Sequence, residues 1–168
     1  MDGWQVILRL VHILLGTLWA GTTFSYVLFI EPQLRALGPS IERPVMSAFM
    51  KSMLPAIPIA ALVTIASGIA LTLKMRWGHL DDFFITGWGW AMVVAFAGTV
   101  IYLVVAFAMD DPSVKGIEKL HNDIEGREPT PEESAELERL SARGRTAART
   151  EAVLMVVVVG AMAAARFV

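Results

Sequence analysis

The side chains with the clearest chemical potential in this sequence are a histidine and an arginine near the N-terminus. His12 lies inside an apolar run, Leu10 to Ile30, that contains no Asp, Glu, Lys or Arg. As a helix this run is long enough to cross a membrane, and an ionisable group at that depth is costly and usually functional. Arg9 precedes His12 by three residues, so both side chains leave the predicted helix on the same face. The pair predicts a site for a metal-containing ligand that carries negative charge.

Composition places this site in a small membrane protein. The chain has 168 residues, of which 55% are hydrophobic, and its mean hydropathy is +0.58; these values indicate a polytopic membrane protein rather than a soluble domain. The absence of cysteine excludes disulfides and thiolate metal sites and leaves histidine, methionine and carboxylates as ligands. The net charge is -2, and the charged residues lie in loops and form nothing like a basic nucleic-acid surface. Nucleic acid is therefore not expected as a partner.

The gaps between charged residues predict four membrane spans, at about 4–30, 52–74, 86–109 and 150–167. Glu31-Pro32 is predicted to end the first helix, because proline lacks the amide hydrogen that a helix interior requires. The expected fold is an all-α membrane protein in which four transmembrane helices form an up-down bundle.

The segment 112–149 between the third and fourth spans is predicted to form a cytoplasmic helical hairpin. Asp111-Pro112 is typical of an N-cap followed by the first helical residue, and this helix should end at Gly126. Thr130 and Glu133 have the spacing of a capping box. The helix that they start is predicted to run through Arg149 directly into the last span.

The distribution of basic residues predicts the orientation, because cytoplasmic loops are enriched in Lys and Arg. The loops after spans one and three contain Arg35, Arg43, Lys51, Lys115, Lys119, Arg127, Arg139, Arg143, Arg145 and Arg149, whereas the opposite side has Arg9, Lys74, Arg76 and Arg166. Both termini should therefore lie outside a bacterial-type cytoplasmic membrane. Trp4, Trp77, Trp88 and Trp90 fall on the same outer side, where indole rings favour the headgroup region.

Glycines occur near the expected depth of His12 in every span. Counting residues from the membrane surface places His12 level with Ser67, Phe96 and Gly160. Glycines close to that level can let helices approach closely, or can leave room for a flat ligand such as a porphyrin. They are Gly16, Gly68, Gly98 and Gly160.

These residues predict heme b, with His12 as a ligand of the iron. The second axial ligand would be Met92, Met162, a His12 from another subunit, or none. Arg9 would pair with the heme propionates. Two alternatives remain open: Asp2 could neutralise Arg9, and His12 could simply form a hydrogen bond with Ser67, Thr64 or a helix carbonyl.

Short stretches of the spans resemble a known superfamily. HILLGTLWAG in the first span, RPVMSAFMKSMLPAIP before the second and RTEAVLMVVVV at the start of the fourth are similar to small four-helix bacterial membrane proteins. That superfamily includes the CopD copper-resistance domain and the HemJ-type protoporphyrinogen oxidases. The resemblance implies that His12 matches the first-helix histidine implicated in heme binding. The basic residue and the histidine of the HemJ-type third helix have no counterpart in 87–109.

Three classes of function therefore remain open. The first is an iron-containing b-type heme protein, working either as a redox carrier with quinone or another membrane partner, or as an oxidoreductase of the HemJ sort. The second is a copper transport or tolerance component, which would need more His or Met at the outer face than His79, Met75 and Met92 supply. The third is a structural or partner-binding membrane protein without cofactor. The sequence contains no catalytic motif that we recognise, Glu151 is expected to pair with Arg149, and small residues in spans two to four favour a homodimer.

Overall fold

The computed structural model describes residues 2–78, 81–124 and 127–168, and every regular element among them is helical. Within these ranges four helices are long and apolar enough to cross a membrane: Gly3–Leu37, Ala56–Arg76, Gly87–Asp123 and Pro131–Ala164. The all-α class is therefore confirmed, and the four candidate spans agree with a membrane protein. The chain divides into an N-terminal unit, Met1–Thr86, and a C-terminal unit, Gly87–Val168.

The first helix of the N-terminal unit is longer than predicted. Helix α1 (Gly3–Ser25) begins at Asp2, whose side chain accepts a hydrogen bond from the Gln5 amide. It continues through a π-helical turn, Tyr26–Ile30, into α2 (Glu31–Leu37). The prediction that Glu31-Pro32 ends the helix is thus wrong. In the wide turn the Glu31 amide bonds to the Tyr26 carbonyl, five residues back, and this wider spacing accommodates the proline ring.

Helix α3 (Pro39–Arg76) begins immediately after Gly38. Gly38 has a φ of +85°, which a glycine adopts at no steric cost, and its carbonyl accepts the first hydrogen bonds of α3. Helical structure therefore covers most of the segment between the first two predicted spans. The span expected at 52–74 is the apolar part of this longer helix.

The first helix of the C-terminal unit resembles α1, because each continues through a π-helical turn into a further helix. After a 3-10 turn (Asp81–Phe84), α4 (Gly87–Val105) continues through a second π-helical turn, Ala106–Asp110, into α5 (Asp111–Asp123). The prediction that Asp111 caps a new helix is wrong, because Asp111 and Pro112 follow the wide turn without a break. The predicted end of this helix at Gly126 lies outside the described residues.

Helix α6 (Pro131–Ala164) confirms the prediction of one continuous helix into the last span. The Thr130 hydroxyl accepts from the Glu133 amide at 3.3 Å, and the Glu133 carboxylate accepts from the Thr130 amide at 2.8 Å. This is the predicted capping box.

Within each unit, the long helices pack as pairs. Helix α1 packs on α3 in the N-terminal unit, and α4 and α5 both pack on α6 in the C-terminal unit. Glycines allow close contact: a Cβ at Gly98 would lie 2.9 Å from Val158 Cγ2, and a Cβ at Gly116 would lie 2.9 Å from Leu140 Cδ1. The buried residues on α6 recur at helical spacing, at Leu137, Leu140, Ala147, Glu151, Ala152, Met155 and Val158.

Candidate functional site

His12 points from α1 onto the backbone of α3. Its Nδ1 lies 2.8 Å from the Thr64 carbonyl oxygen and 3.4 Å from Ser67 Oγ. A carbonyl can only accept, so Nδ1 carries the hydrogen and donates it to Thr64. In this tautomer Nε2 keeps its lone pair, and within the described part of the chain it has no hydrogen-bond partner. The predicted match in depth between His12 and Ser67 is confirmed.

The imidazole ring lies in the space left by a missing side chain. A Cβ at Gly68 would be 2.8 Å from His12 Cε1 and 3.2 Å from Nδ1, distances that normal packing does not permit. At Gly16, on α1, a Cβ would lie 3.3 Å from Thr64 Cγ2. Of the two roles predicted for these glycines, close helix packing is the one that the structure displays. Gly68 thereby fixes the position of the ring.

Thr64 contributes a second unused polar atom beside the histidine. The residue exposes only 7% of its surface, and its Oγ1 is buried without a hydrogen-bond partner among the described residues. The Ser67 hydroxyl, by contrast, donates to the Val63 and Thr64 carbonyls, at 2.6 and 3.0 Å. A buried hydroxyl without a partner costs free energy, so the site has unused bonding capacity at Thr64 Oγ1 and His12 Nε2.

Arg9 lies one turn before His12 and reaches α3. Its Nη2 is 3.7 Å from Met75 Sδ, and a thioether sulfur is only a weak acceptor. Asp2, the alternative partner predicted for Arg9, pairs with Lys74 at 2.7 Å. The hydrogen bond from Lys74, followed by that from the Gln5 amide, lowers the pKa of Asp2.

An apolar groove of about 450 Å³ runs along the same helix pair. Its lining includes Leu8 and Val11, which flank His12 in sequence, and Val63 and Ser67 from α3. The groove belongs wholly to the N-terminal unit. It offers a hydrophobic surface on the α1–α3 pair, as the face of an apolar ring requires, although His12 and Arg9 are not among its lining residues.

The two methionines predicted as axial ligands belong to the C-terminal unit, whereas His12, Arg9, Gly16 and Gly68 belong to the N-terminal one. Met92 is half-buried and Met162 is exposed. Met92 lies fourteen residues before the π-helical turn of its unit, as His12 does in its own. Counted from the π-helical turn, Met92 therefore occupies the same position in α4 as His12 does in α1.

Of the residues predicted for copper, Met75 lies in the N-terminal unit and Met92 in the C-terminal unit. Among residues 2–78, 81–124 and 127–168, no group of three or more His, Asp or Glu side chains is close enough to hold a metal ion. His79 lies outside the described residues, and Met75 contacts Arg9. A single imidazole such as His12 suits a metal whose remaining ligands come from a cofactor.

One buried polar residue was misjudged from the sequence. Glu151 was expected to pair with Arg149, but in the structure it is buried, beside Tyr102 on α4. Residues two apart on a helix point to nearly opposite sides, so Arg149 is exposed while Glu151 faces α4. The angular offset could have identified this from the sequence.

Comparisons of the chain with protein-family models, with curated proteins and with solved structures found no match.

Proposed function

We propose that this chain is an integral membrane protein that binds heme b through His12 and acts as a redox carrier with quinone or another membrane partner. The observation that carries the proposal is the hydrogen bond from His12 Nδ1 to the Thr64 carbonyl. Histidines that bind metals commonly donate their other ring nitrogen to a carbonyl in this way, which fixes the tautomer and makes the ligating nitrogen more basic.

The residues around His12 suit a porphyrin. The macrocycle supplies four nitrogens, so the protein needs to supply only one or two ligands. His12 Nε2 provides one, and the groove beside Leu8 and Val11 provides apolar surface. Arg9 is placed one turn along the helix, where its guanidinium would form charge-assisted hydrogen bonds with a propionate. The bound iron would supply one-electron chemistry, and these side chains would hold and orient it.

A visible spectrum of the purified protein, expressed with ample heme supply, tests this proposal. A Soret band that shifts on reduction with dithionite is expected, and His12→Ala should abolish it while the helices remain folded by circular dichroism. His121→Ala, on the hairpin between α4 and the last span, is the matched control and should keep the band. An unaltered spectrum in His12→Ala would contradict the assignment. Copper without heme would instead favour the copper-handling alternative.

Arg9 has a separate test. Arg9→Ala should weaken heme retention without changing the ligation of the iron, because only the partner of the propionate is lost. Arg9→Lys keeps a positive charge but not the bidentate geometry, so it should retain more heme than Arg9→Ala. Equal retention in all three proteins would remove Arg9 from the site.

A second protein ligand of the iron, if heme binds, would report the oligomeric state. His12 is the only histidine in the four predicted spans, so a spectrum typical of two imidazoles would require a second copy of the chain. We propose a homodimer on this ground and because small residues recur in the spans. A methionine ligand would give a different spectrum, lost in Met92→Leu or Met162→Leu. Crosslinking in mild detergent that finds only monomer would count against the dimer.

The proposed location is a bacterial cytoplasmic membrane with both termini outside and the α5–α6 hairpin inside. Trp4 and Trp77, at the same end of the α1–α3 pair, are exposed by 60% and 78%, as expected of rings in the headgroup layer. Reporter fusions at the termini and at the 124–130 connection test the orientation. A hairpin reporter that is active outside the cytoplasm would contradict it.

A further inference from the structure

Glu151 is a buried carboxylate at the contact between α4 and α6 in the C-terminal unit. It exposes 7% of its surface, and its Oε1 is fully enclosed without a hydrogen-bond partner in the described structure. Tyr102 on α4, itself 7% exposed, lies beside the same carboxylate. The buried carboxylate therefore has an enclosed oxygen that forms no hydrogen bond with the described residues.

The charged neighbours of Glu151 do not compensate its charge. Helix α4 carries no charged residue between Gly87 and Val105. The π-helical turn contributes Asp110, a second carboxylate that lies close enough to repel Glu151. On α5, Lys115 is bonded to Asp111 at 2.6 Å.

The arginines of α6 itself are directed elsewhere. Arg143 donates to the Ala108 carbonyl at 2.6 Å, and Arg145 pairs with Glu138 at 2.8 Å. Arg149 lies two residues before Glu151, on the opposite side of the helix. No basic side chain in the described ranges forms an ion pair with Glu151.

A buried carboxylate without a partner cation is costly, and a second carboxylate beside it increases the cost. The cost disappears when a positive charge binds. The two small cations that a carboxylate and a hydroxyl accept in such a place are a proton and an alkali-metal ion, since both interact with oxygen ligands.

We propose that Glu151, beside Tyr102 and under the influence of the negative charge of Asp110, is the binding site for a single small cation, either a proton or a sodium ion. The enclosed Oε1 of Glu151 is the atom that receives it. Tyr102 lies beside the carboxylate, and the negative charge of Asp110 increases the attraction for the cation. The site belongs to the C-terminal unit alone and does not depend on heme binding.

Infrared spectroscopy and thermal unfolding of the full chain in detergent separate the two cations. A bound proton gives the carbonyl band of a carboxylic acid at neutral pH, shifted in heavy water and absent from Glu151→Gln. Bound sodium gives no such band, but raises the unfolding temperature relative to choline chloride of equal ionic strength, and Glu151→Gln removes this increase. Glu138→Gln, an exposed carboxylate on the same helix, is the matched control and should leave both signals unchanged.

Asp110→Asn provides a second variant that leaves Glu151 in place. Removing the neighbouring negative charge should weaken binding of either cation about tenfold, seen as a lower pH midpoint of the acid band or a higher sodium concentration for half of the stabilisation. The proposal is overturned if the wild type shows neither signal, or if Asp110→Asn leaves the midpoint where it is in the wild type.

Discussion

Replacing Gly68 with alanine should displace the His12 ring. The new Cβ would lie 2.8 Å from His12 Cε1 and 3.2 Å from Nδ1, so the ring must move by several tenths of an ångström or more. Such overpacking costs about 1–3 kcal/mol, and loss of the bond to Thr64 costs about 1 kcal/mol more. Alanine gains about 1 kcal/mol over glycine in a helix interior. The net expectation is a destabilisation of about 2 kcal/mol and weaker heme binding.

Gly21→Ala is the control for this experiment. Gly21 lies on α1, in the same unit, and a Cβ there meets nothing within 4 Å. It should therefore keep the helix-forming gain of alanine without the clash. Denaturant unfolding in mild detergent gives the stability difference between the two variants, and heme titration followed at the Soret band gives the affinity. If Gly68→Ala matches Gly21→Ala in both measurements, the ring is not fixed by this contact.

Two further changes test the C-terminal unit. Thr130→Ala removes the side-chain acceptor of the capping box and should destabilise the start of α6 by about 1 kcal/mol, measured as faster amide exchange at Glu133; unchanged exchange would refute the role of the cap. Gly98→Ala should lower the unfolding temperature, because the added methyl would lie 2.9 Å from Val158 Cγ2. Val158→Ala in the same chain should restore much of the loss, and a double variant no more stable than Gly98→Ala would show that the clash lies elsewhere.

Hydrophobicity and helix-start signals were sufficient to predict the all-α class of the protein and the continuous helix α6. Long apolar runs indicate membrane-spanning helices, because few other structures contain so many consecutive apolar residues. The capping box of Thr130 and Glu133 depends only on residues three apart, so it can be recognised locally. Depth matching between antiparallel helices placed His12 beside Ser67 correctly, because each residue advances a helix by a fixed rise.

The wide turns could not be predicted in the same way. Proline is expected to end a helix, yet Pro32 and Pro112 are accommodated by π-helical turns that precede them. A wide turn is unfavourable locally and persists where packing on a neighbouring helix supports it. The burial of Glu151 also depends on which face of α6 meets α4. A hydrogen bond between His12 and Thr64 was among the alternatives predicted from the sequence. Only the packed structure shows that Nδ1 of the ring forms this bond, with the Thr64 carbonyl.

Because of the π-helical turns, the number of residues in the first helix of each unit decides which of its later side chains are buried. One extra residue in a helical turn delays the rotation of everything after it by roughly 100°. That delay is what turns Glu31, 6% exposed, and Ser113, 1% exposed, toward the interior of their own units. Deleting a single residue from Tyr26–Ile30 or Ala106–Asp110 would restore an ordinary helix and swing these polar side chains outward. Length in these segments is therefore constrained more tightly than side-chain identity.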